Sequence, residues 1–487
     1  MEKYSLTVQR IGLVGIANLL IALSGIILLP ILTKTLPITS YGSWALIAAT
    51  ISLLPMIASL GLRQTVIRFL AASKDKHEIQ EAFYSLVFVV FVAALVVSGP
   101  FFILAHTIAA SLFNNDVATA LIFPLNIFFA CLNVFILHFF LVFQQAKKYS
   151  ALTFLEAYAQ VALVALFVLL GYGLLGAVIG LLLEQLFVFF LTMYLILVQI
   201  GFAIPKFART REYLAFGLPL MPGDVSFWIA NSSDRYLIGI FLGVAAVGYY
   251  SPAYALGATI ALISDALTLL LPAVLAKHYD EDRVEDVRTI MKYSLKYYAG
   301  IAIPCAFAVS VLSKPLLLVL ATPQIAANGY LVTPFVAAGA LLLGAYVLFA
   351  QVVTLKKKTA YIGTIWVLSA ALNFGVNLVL IPYFGIIGAA LTTFIAFLLA
   401  FVLTAVYSLR QFKFDVNSRF VLKSVCASIV ISVFLLLWNP AGLVSVLLSV
   451  SLAAVIYIGI LFVLRGFAVE EVKFFYRIFK GLLKGAE

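Results

Sequence analysis

The sequence predicts an all-α, polytopic membrane protein with about fourteen transmembrane helices. They are arranged as two parallel six-helix lobes around a central cavity, plus two extra C-terminal helices. Three observations predict it. Apolar residues form 64% of the 487 residues and charged residues only 10%, with a mean hydropathy of +1.15. A soluble chain carries about 25% charge, so this one lacks the polar surface to face water on all sides. Apolar stretches of spanning length recur from end to end, and the basic residues between them alternate by side.

A hydrocarbon core of about 30 Å needs about 20 apolar residues at 1.5 Å each. The first such stretch, 11–33, follows the short segment MEKYSLTVQR. It is too long for a signal-peptide core and no small-residue cleavage pattern follows, so it is read as a span. The others are 41–62, 83–111, 117–143, 150–170, 174–201, 213–241, 246–275, 292–313, 330–354, 361–381, 385–409, 421–438 and 442–464. Charges or Gly, Pro and Asn turns bound each of them.

With the N-terminus inside, 28 of the 31 basic residues fall on cytoplasmic segments, and only Lys34, Arg235 and Lys314 fall on the outer half. A wrong span count would scramble that alternation, so the bias supports both the count and cytoplasmic N- and C-termini. It also accounts for the net charge of +11 without nucleic acid. The outer turns are short, as at 171–173, 382–385 and 439–442, and leave no room for a soluble catalytic domain. In the tail, Lys473, Arg477, Lys480 and Lys484 share one helical face opposite Phe475, Ile478, Phe479 and Leu482. This predicts an amphipathic helix on the inner leaflet.

The halves echo each other. Tyr41 and Ala49-Thr50-Ile51 match Tyr250 and Ala258-Thr259-Ile260 at an offset of 209. Gly173-Leu174-Leu175-Gly176-Ala177 matches Gly385-Ile386-Ile387-Gly388-Ala389 at 212, and Lys147-Lys148 matches Lys357-Lys358 at 210. A unit of six spans is even, which predicts parallel repeats related by an axis along the membrane normal. The expected organisation is 1–205 and 206–415 as lobes, 416–464 as two further spans, and 465–487 as the tail.

With these segments on the page, the chain resembles the polysaccharide flippases, O-antigen type, of the multidrug/oligosaccharidyl-lipid/polysaccharide exporter superfamily. Ser233 through Gly239, Val247 through Ser251, Asn377 through Pro382 and Gly385 through Ala390 carry the resemblance. In the first half Tyr41-Gly42 and Gly61-Leu62 with Arg63 and Arg68 carry it. The family often places an acidic residue before that Gly-Leu, where this chain has Ser59-Leu60. The resemblance implies a flippase in lipopolysaccharide or other polysaccharide biosynthesis. It would move a polyprenyl-(pyro)phosphate-linked oligosaccharide from the inner to the outer leaflet of the cell membrane by alternating access. Its partners would be membrane lipids and a polysaccharide polymerase or glycosyltransferases. No cofactor is expected beyond a coupling Na+ or H+. The rival readings are a drug or cation exporter, a peptidoglycan-precursor flippase, and a membrane glycosyltransferase or ligase.

No catalytic motif is present. His106 and His138 stand alone in apolar helices, and Cys131, Cys305 and Cys426 form no pair with metal-ligand spacing. The candidates are therefore ionisable groups within spans, which are costly in lipid and so mark pathways. Asp224 lies 13 residues beyond Arg211 and Asp265 lies 12 residues before Lys277, about 20 Å and 18 Å deep. Asp224 follows Gly217-Leu218-Pro219-Leu220-Met221-Pro222-Gly223, a run that disrupts backbone hydrogen bonding. Glu184 and Glu156 complete the ion-coupling or cavity candidates. For the phosphate end of the cargo, Arg10, Arg63 and Arg68 cluster at the inner ends of the first two spans, and an arginine fork suits phosphate. Asp234 and Arg235 are the remaining substrate-binding candidates, Arg235 lying against the charge bias.

Overall fold

The computed structural model describes residues 20–70, 75–467 and 471, without the side chains at 266, 269 and 270. The described residues are helical with no strand. The N-terminal segment with Arg10, and the basic tail face from Lys473 to Lys484, lie outside them.

The chain runs α1 (Leu20–Thr35), α2 (Ile38–Ala58), α3 (Leu62–Leu70), α4 (Lys76–Ile103), α5 (Ala105–Leu112), α6 (Val117–Val142), α7 (Ala146–Phe167) and α8 (Gly173–Ile200). A non-helical stretch, 201–209, leads to α9 (Thr210–Gly217), α10 (Met221–Ser232), α11 (Asp234–Leu242), α12 (Val244–Ala258) and α13 (Ala261–Asp280). Then come α14 (Val284–Val311), α15 (Ser313–Leu320), α16 (Pro323–Gly329), α17 (Val332–Leu355), α18 (Thr359–Gln411), α19 (Ser418–Trp438) and α20 (Gly442–Val463). By length and composition, 9 helices among the described residues suffice to cross a membrane, two of them 55 and 53 residues long. The chain is thus an all-α, multi-pass membrane protein.

Both double-length helices fold over at the glycine pairs of the repeated motif. Gly173 has φ 57°, ψ −138° and Gly385 has φ 62°, ψ −144°, a region open chiefly to glycine. Three residues later the second glycine lets the two arms touch. A Cβ at Gly388 would lie 2.4 Å from the Leu380 carbonyl, and one at Gly176 would lie 2.9 Å from that of Phe167.

Three expected spans are broken within their length. The stretch 213–241 is broken into α9, a 3₁₀ turn at Leu218–Leu220, α10 and α11, because Pro219 and Pro222 each remove a backbone donor. The stretch 246–275 breaks at Thr259 and Ile260 between α12 and α13. The third expected span begins earlier, at Lys76, and is interrupted at Leu104.

Cores segregate along the chain. Two clusters draw on residues before 215, and four draw on the second half, one of them joined by Ile38, Ala45 and Leu46 from α2 and by Leu112 from α5. The halves meet where α2 and α12 cross by reciprocal contacts. A Cβ at Gly42 would lie 2.0 Å from the Val244 carbonyl, and one at Gly248 would lie 2.4 Å from that of Ile38. The two polypeptide halves therefore touch backbone to backbone along one seam. Beyond α20, Glu471 is anchored by a buried ion pair, 2.6 Å from Lys296 Nζ on α14.

Candidate functional site

One end of the seam is set by a turn after α2. Leu60 and Gly61 take positive φ, 50° and 68°. A Cβ at Gly61 would lie 2.0 Å from the Gly217 carbonyl, so this approach of the halves requires glycine. The turn brings α3 against α9 and α10. Thr65 Oγ1 donates to the Tyr213 carbonyl at 3.4 Å, and Arg63 Nη2 lies 3.6 Å from Asp224 Oδ2. Arg63 and Asp224 side chains are 21% and 36% exposed. The buried Arg63 Nε has no hydrogen-bond partner. Asp224, the mid-depth ion-coupling or cavity candidate, has a basic partner from the other half, Arg63. Arg68, on the same helix as Arg63, is exposed and lies over the Phe216 ring at 5.1 Å.

Further along the seam, tyrosine and tryptophan hold the halves together. Tyr236 on α11 hydrogen-bonds Thr50 on α2, and Trp228 Nε1 donates to Ser52 Oγ at 2.8 Å. Next to this bridge Asp234 is enclosed, 1% exposed. Its carboxylate accepts from Tyr250, from the Arg235 backbone N–H at 2.8 Å and from Thr393 at 3.5 Å. The Arg235 guanidinium lies 3.3 Å away and 4.4 Å over the Tyr254 ring. Asn377 Nδ2 donates to Asn373 Oδ1 at 3.0 Å, and Ser233 reaches the same oxygen at 3.5 Å. Asp234 and Arg235 are thus tied to each other and to α12 and α18.

Two adjoining hollows lie on the other side of α2. One, about 470 Å³, is bounded by α1, α2 and α7 from the first half and by α12, α13 and Leu320 from the second. The other, about 410 Å³, runs into the first half between α1, α6, α7 and α8. They share Ser24 and Gln160 as wall residues. Glu156 and Glu184, expected on separate spans, both line the second hollow, with Asn133, Gln160 and Gln185. Glu184 is 2% exposed and its Oε1 has no hydrogen-bond partner. Asn133 Nδ2 donates to the Gln185 carbonyl at 2.9 Å, leaving Asn133 Oδ1 and Gln185 Oε1 unpartnered as well. Four acceptor or carboxyl groups without a basic residue among them suit a proton or a small cation. Asp265 is exposed on α13 and joins neither hollow.

Sequence reasoning missed the amides Asn133, Gln160 and Gln185 and the Asn373–Asn377 pair. A signal existed: 126 and 133, and 373 and 377, repeat at helical spacing inside apolar runs, so each pair shares a face.

A broken-helix seam, polar hollows inside an apolar bundle and paired hairpins define a multi-pass α-helical membrane protein. The family model described as "Polysaccharide biosynthesis protein" matches residues 7–274, more than half of the chain. The chain belongs to that family. It is 23% identical over 203 residues to a probable low-salt glycan biosynthesis flippase, Agl15, of Haloferax volcanii, covering 42% of this chain and 43% of that one. It is 29% identical over 175 residues to the probable flippase AglR of the same organism, covering 35% and 36%. The match thus spans less than half the length of these relatives. Among solved structures, the lipid II flippase MurJ in an inward closed conformation superposes with a TM-score of 0.77 at 16% identity, over 92% of this chain and 97% of that one. An inward-facing multidrug resistance MATE family transporter of the MOP superfamily gives 0.65 at 16% identity, over 82% and 98%. These likenesses establish the shared fold.

Proposed function

We propose that the chain flips a polyprenyl-(pyro)phosphate-linked oligosaccharide from the cytoplasmic to the outer leaflet by alternating access between its halves. The observation that carries this is Arg63. It is a half-buried guanidinium at the seam, facing one carboxylate and holding an unused Nε donor. Guanidinium binds phosphate through several parallel donors, so an arriving phosphate would satisfy Nε and displace Asp224. The sugar would then cross between the halves while the lipid tail stays in hydrocarbon. Family membership and the two named flippases support the same cargo class. An O-antigen unit is the instance of it that the sequence resemblance suggests.

Coupling to H+ or Na+ is assigned to the Glu156–Glu184 hollow, because Glu184 is enclosed and lacks a partner at Oε1. Asp234 and Arg235 are assigned to holding α11 against α12 and α18, since their charges are spent on each other. The chain would sit in the cytoplasmic membrane with both termini inside, after glycosyltransferases that build the cargo and before a polymerase that consumes it.

The test is transport of a fluorescent lipid-linked oligosaccharide in proteoliposomes, read by lectin access at the far leaflet. Wild type should expose the glycan, and Arg63→Gln should do so at least about tenfold more slowly, the loss of one charged hydrogen bond. Cationic dye moved by wild type with no lipid-linked glycan moved would overturn the proposal in favour of a drug exporter.

A further inference from the structure

At the opposite end of the seam from Arg63 the wall chemistry reverses. A cavity of about 410 Å³ opens where α2, α5, α6, α8 and α12 begin or end. Thr39 and Ser40 come from the start of α2, Asn114 from the α5–α6 turn, and Tyr172 from the α7–α8 hairpin. Val244, at the α2–α12 crossing, also lines it. No lysine or arginine lines it, and its one ionisable carboxylate is Asp116.

Its polar groups are divided in a useful way. Asp116 is committed, capping α6 by accepting from the Thr119 backbone N–H at 3.1 Å and from the Thr119 hydroxyl at 2.5 Å. Ser43 is committed too, donating to the Leu112 carbonyl. These bonds fix the walls. The hydroxyls of Thr39, Ser40 and Tyr172 and the amide of Asn114 make no side-chain hydrogen bond among the described residues and remain exposed or half-exposed. Asn114 and Asn115 both adopt positive φ, 52° and 66°, which holds the turn in place. Tyr172 is 58% exposed on a turn fixed by Gly171 and Gly173.

We propose that this cavity binds the uncharged saccharide portion of a glycan at the outer mouth. Hydroxyls and an amide supply both donors and acceptors, as a ring bearing many hydroxyls requires. An exposed aromatic face suits the C–H face of a pyranose, which is apolar and slightly positive at its edges. The volume falls in the small-ligand range. A phosphate finds no cation here and meets Asp116 instead. The inference rests on the flippase reading for its direction, because the outer side is assigned by the basic-residue bias. It adds a receiving site that holds sugar and rejects pyrophosphate, which favours release of the charged end toward the outer leaflet.

The test uses the full chain in nanodiscs and saturation-transfer NMR with a trisaccharide panel of hexose, N-acetylhexosamine, deoxyhexose and hexuronate types. At least one uncharged trisaccharide should receive saturation, with the hexuronate weakest. Tyr172→Ala and Asn114→Ala should each weaken that binding at least fivefold, while Tyr194→Ala, on an exposed ring of α8, should not. Inorganic pyrophosphate should not compete. Failure of every trisaccharide to bind wild type, or equal binding by all three variants and wild type, overturns the inference. Lectin-detected flipping measured on the same protein reports separately on the function. Sugar binding without flipping would sink the function and keep this site, and flipping without sugar binding would do the reverse.

Discussion

Replacing Asp224 with asparagine should tighten, not weaken, binding of a lipid-linked diphosphate. The two charges stand 3.6 Å apart. At an effective dielectric near 20 the gross attraction is about 5 kcal/mol. Both side chains keep part of their hydration, at 21% and 36% exposure. Desolvation, side-chain ordering and salt therefore reduce the net coupling to about 1 kcal/mol, the upper end for exposed pairs. A phosphate that takes over Arg63 must first break this pair. Removing the competitor should lower Kd by about fivefold, since 1.4 kcal/mol is tenfold. Arg63→Gln should raise Kd, and the double variant should match Arg63→Gln alone, because Asp224 then has nothing to compete for. The assay is a titration of polyprenyl diphosphate oligosaccharide into nanodiscs, repeated at high salt, where the Asp224→Asn effect should shrink. Weakening of binding by Asp224→Asn to the same degree as by Arg63→Gln would refute the competition, because Asp224 would then be helping to hold cargo.

Other outcomes follow from the same geometry. Gly61→Ala should cost about 3 kcal/mol or more, because a methyl would clash with the Gly217 carbonyl at a left-handed φ of 68°; Gly99→Ala, in open space, should be neutral or slightly stabilising, and thermal melting in detergent compares them. Glu184→Gln should fold normally yet lose acceleration by an imposed proton or sodium gradient, read in proteoliposomes normalised to folded protein; gradient-driven transport at the wild-type rate would remove the hollow from coupling. In the α18–α19 loop, Asp415 accepts from Lys292 at 2.8 Å, and that bond, with the Asn417 N–H, holds its pKa below the ordinary aspartate value. Its stabilisation is therefore present above the ordinary carboxylate range and lost as pH falls through the lower folded value. Asp415→Asn should cost about 0.5 kcal/mol at neutral pH, given the exposure of both groups, and the difference should vanish in acid.

The fold class was legible because the bilayer imposes length and apolarity on every span, and those are properties of composition. The hairpin glycines were legible as a repeated motif, although the shared backbone angles of Gly173 and Gly385 needed coordinates. The breaks at Leu218–Leu220 and at Thr259–Ile260 were harder. Prolines 219 and 222 announced the first. Gly257 is the one weak signal for the second, which falls where the chain leaves its packing on α2 and continues along α17.

The candidate site divides along the same line. Depth along one helix could be counted, so Glu184 and Glu156 were found as ionisable groups inside spans, yet their shared hollow depends on α7 folding back onto α8. The Arg63–Asp224 pair joins residues 161 positions apart, and neither spacing nor periodicity links them. What links them is a close approach that only glycine allows, at Gly61 and Gly217. The consequence is mechanical as well as electrostatic. A contact made of two backbones cannot yield gradually, since close-packed interfaces have discrete arrangements rather than a continuous range. On the alternating-access proposal the seam at Gly61 would be either closed, with Arg63 held by Asp224, or parted, with Arg63 free for an anion. Cargo phosphate would bind only the parted arrangement, and so would shift the population toward it by its differential affinity alone. An ion pair worth about 1 kcal/mol is well matched to that task. It is strong enough to hold an empty seam shut most of the time, and weak enough for one charge-assisted phosphate contact of about 1.5–3 kcal/mol to open it.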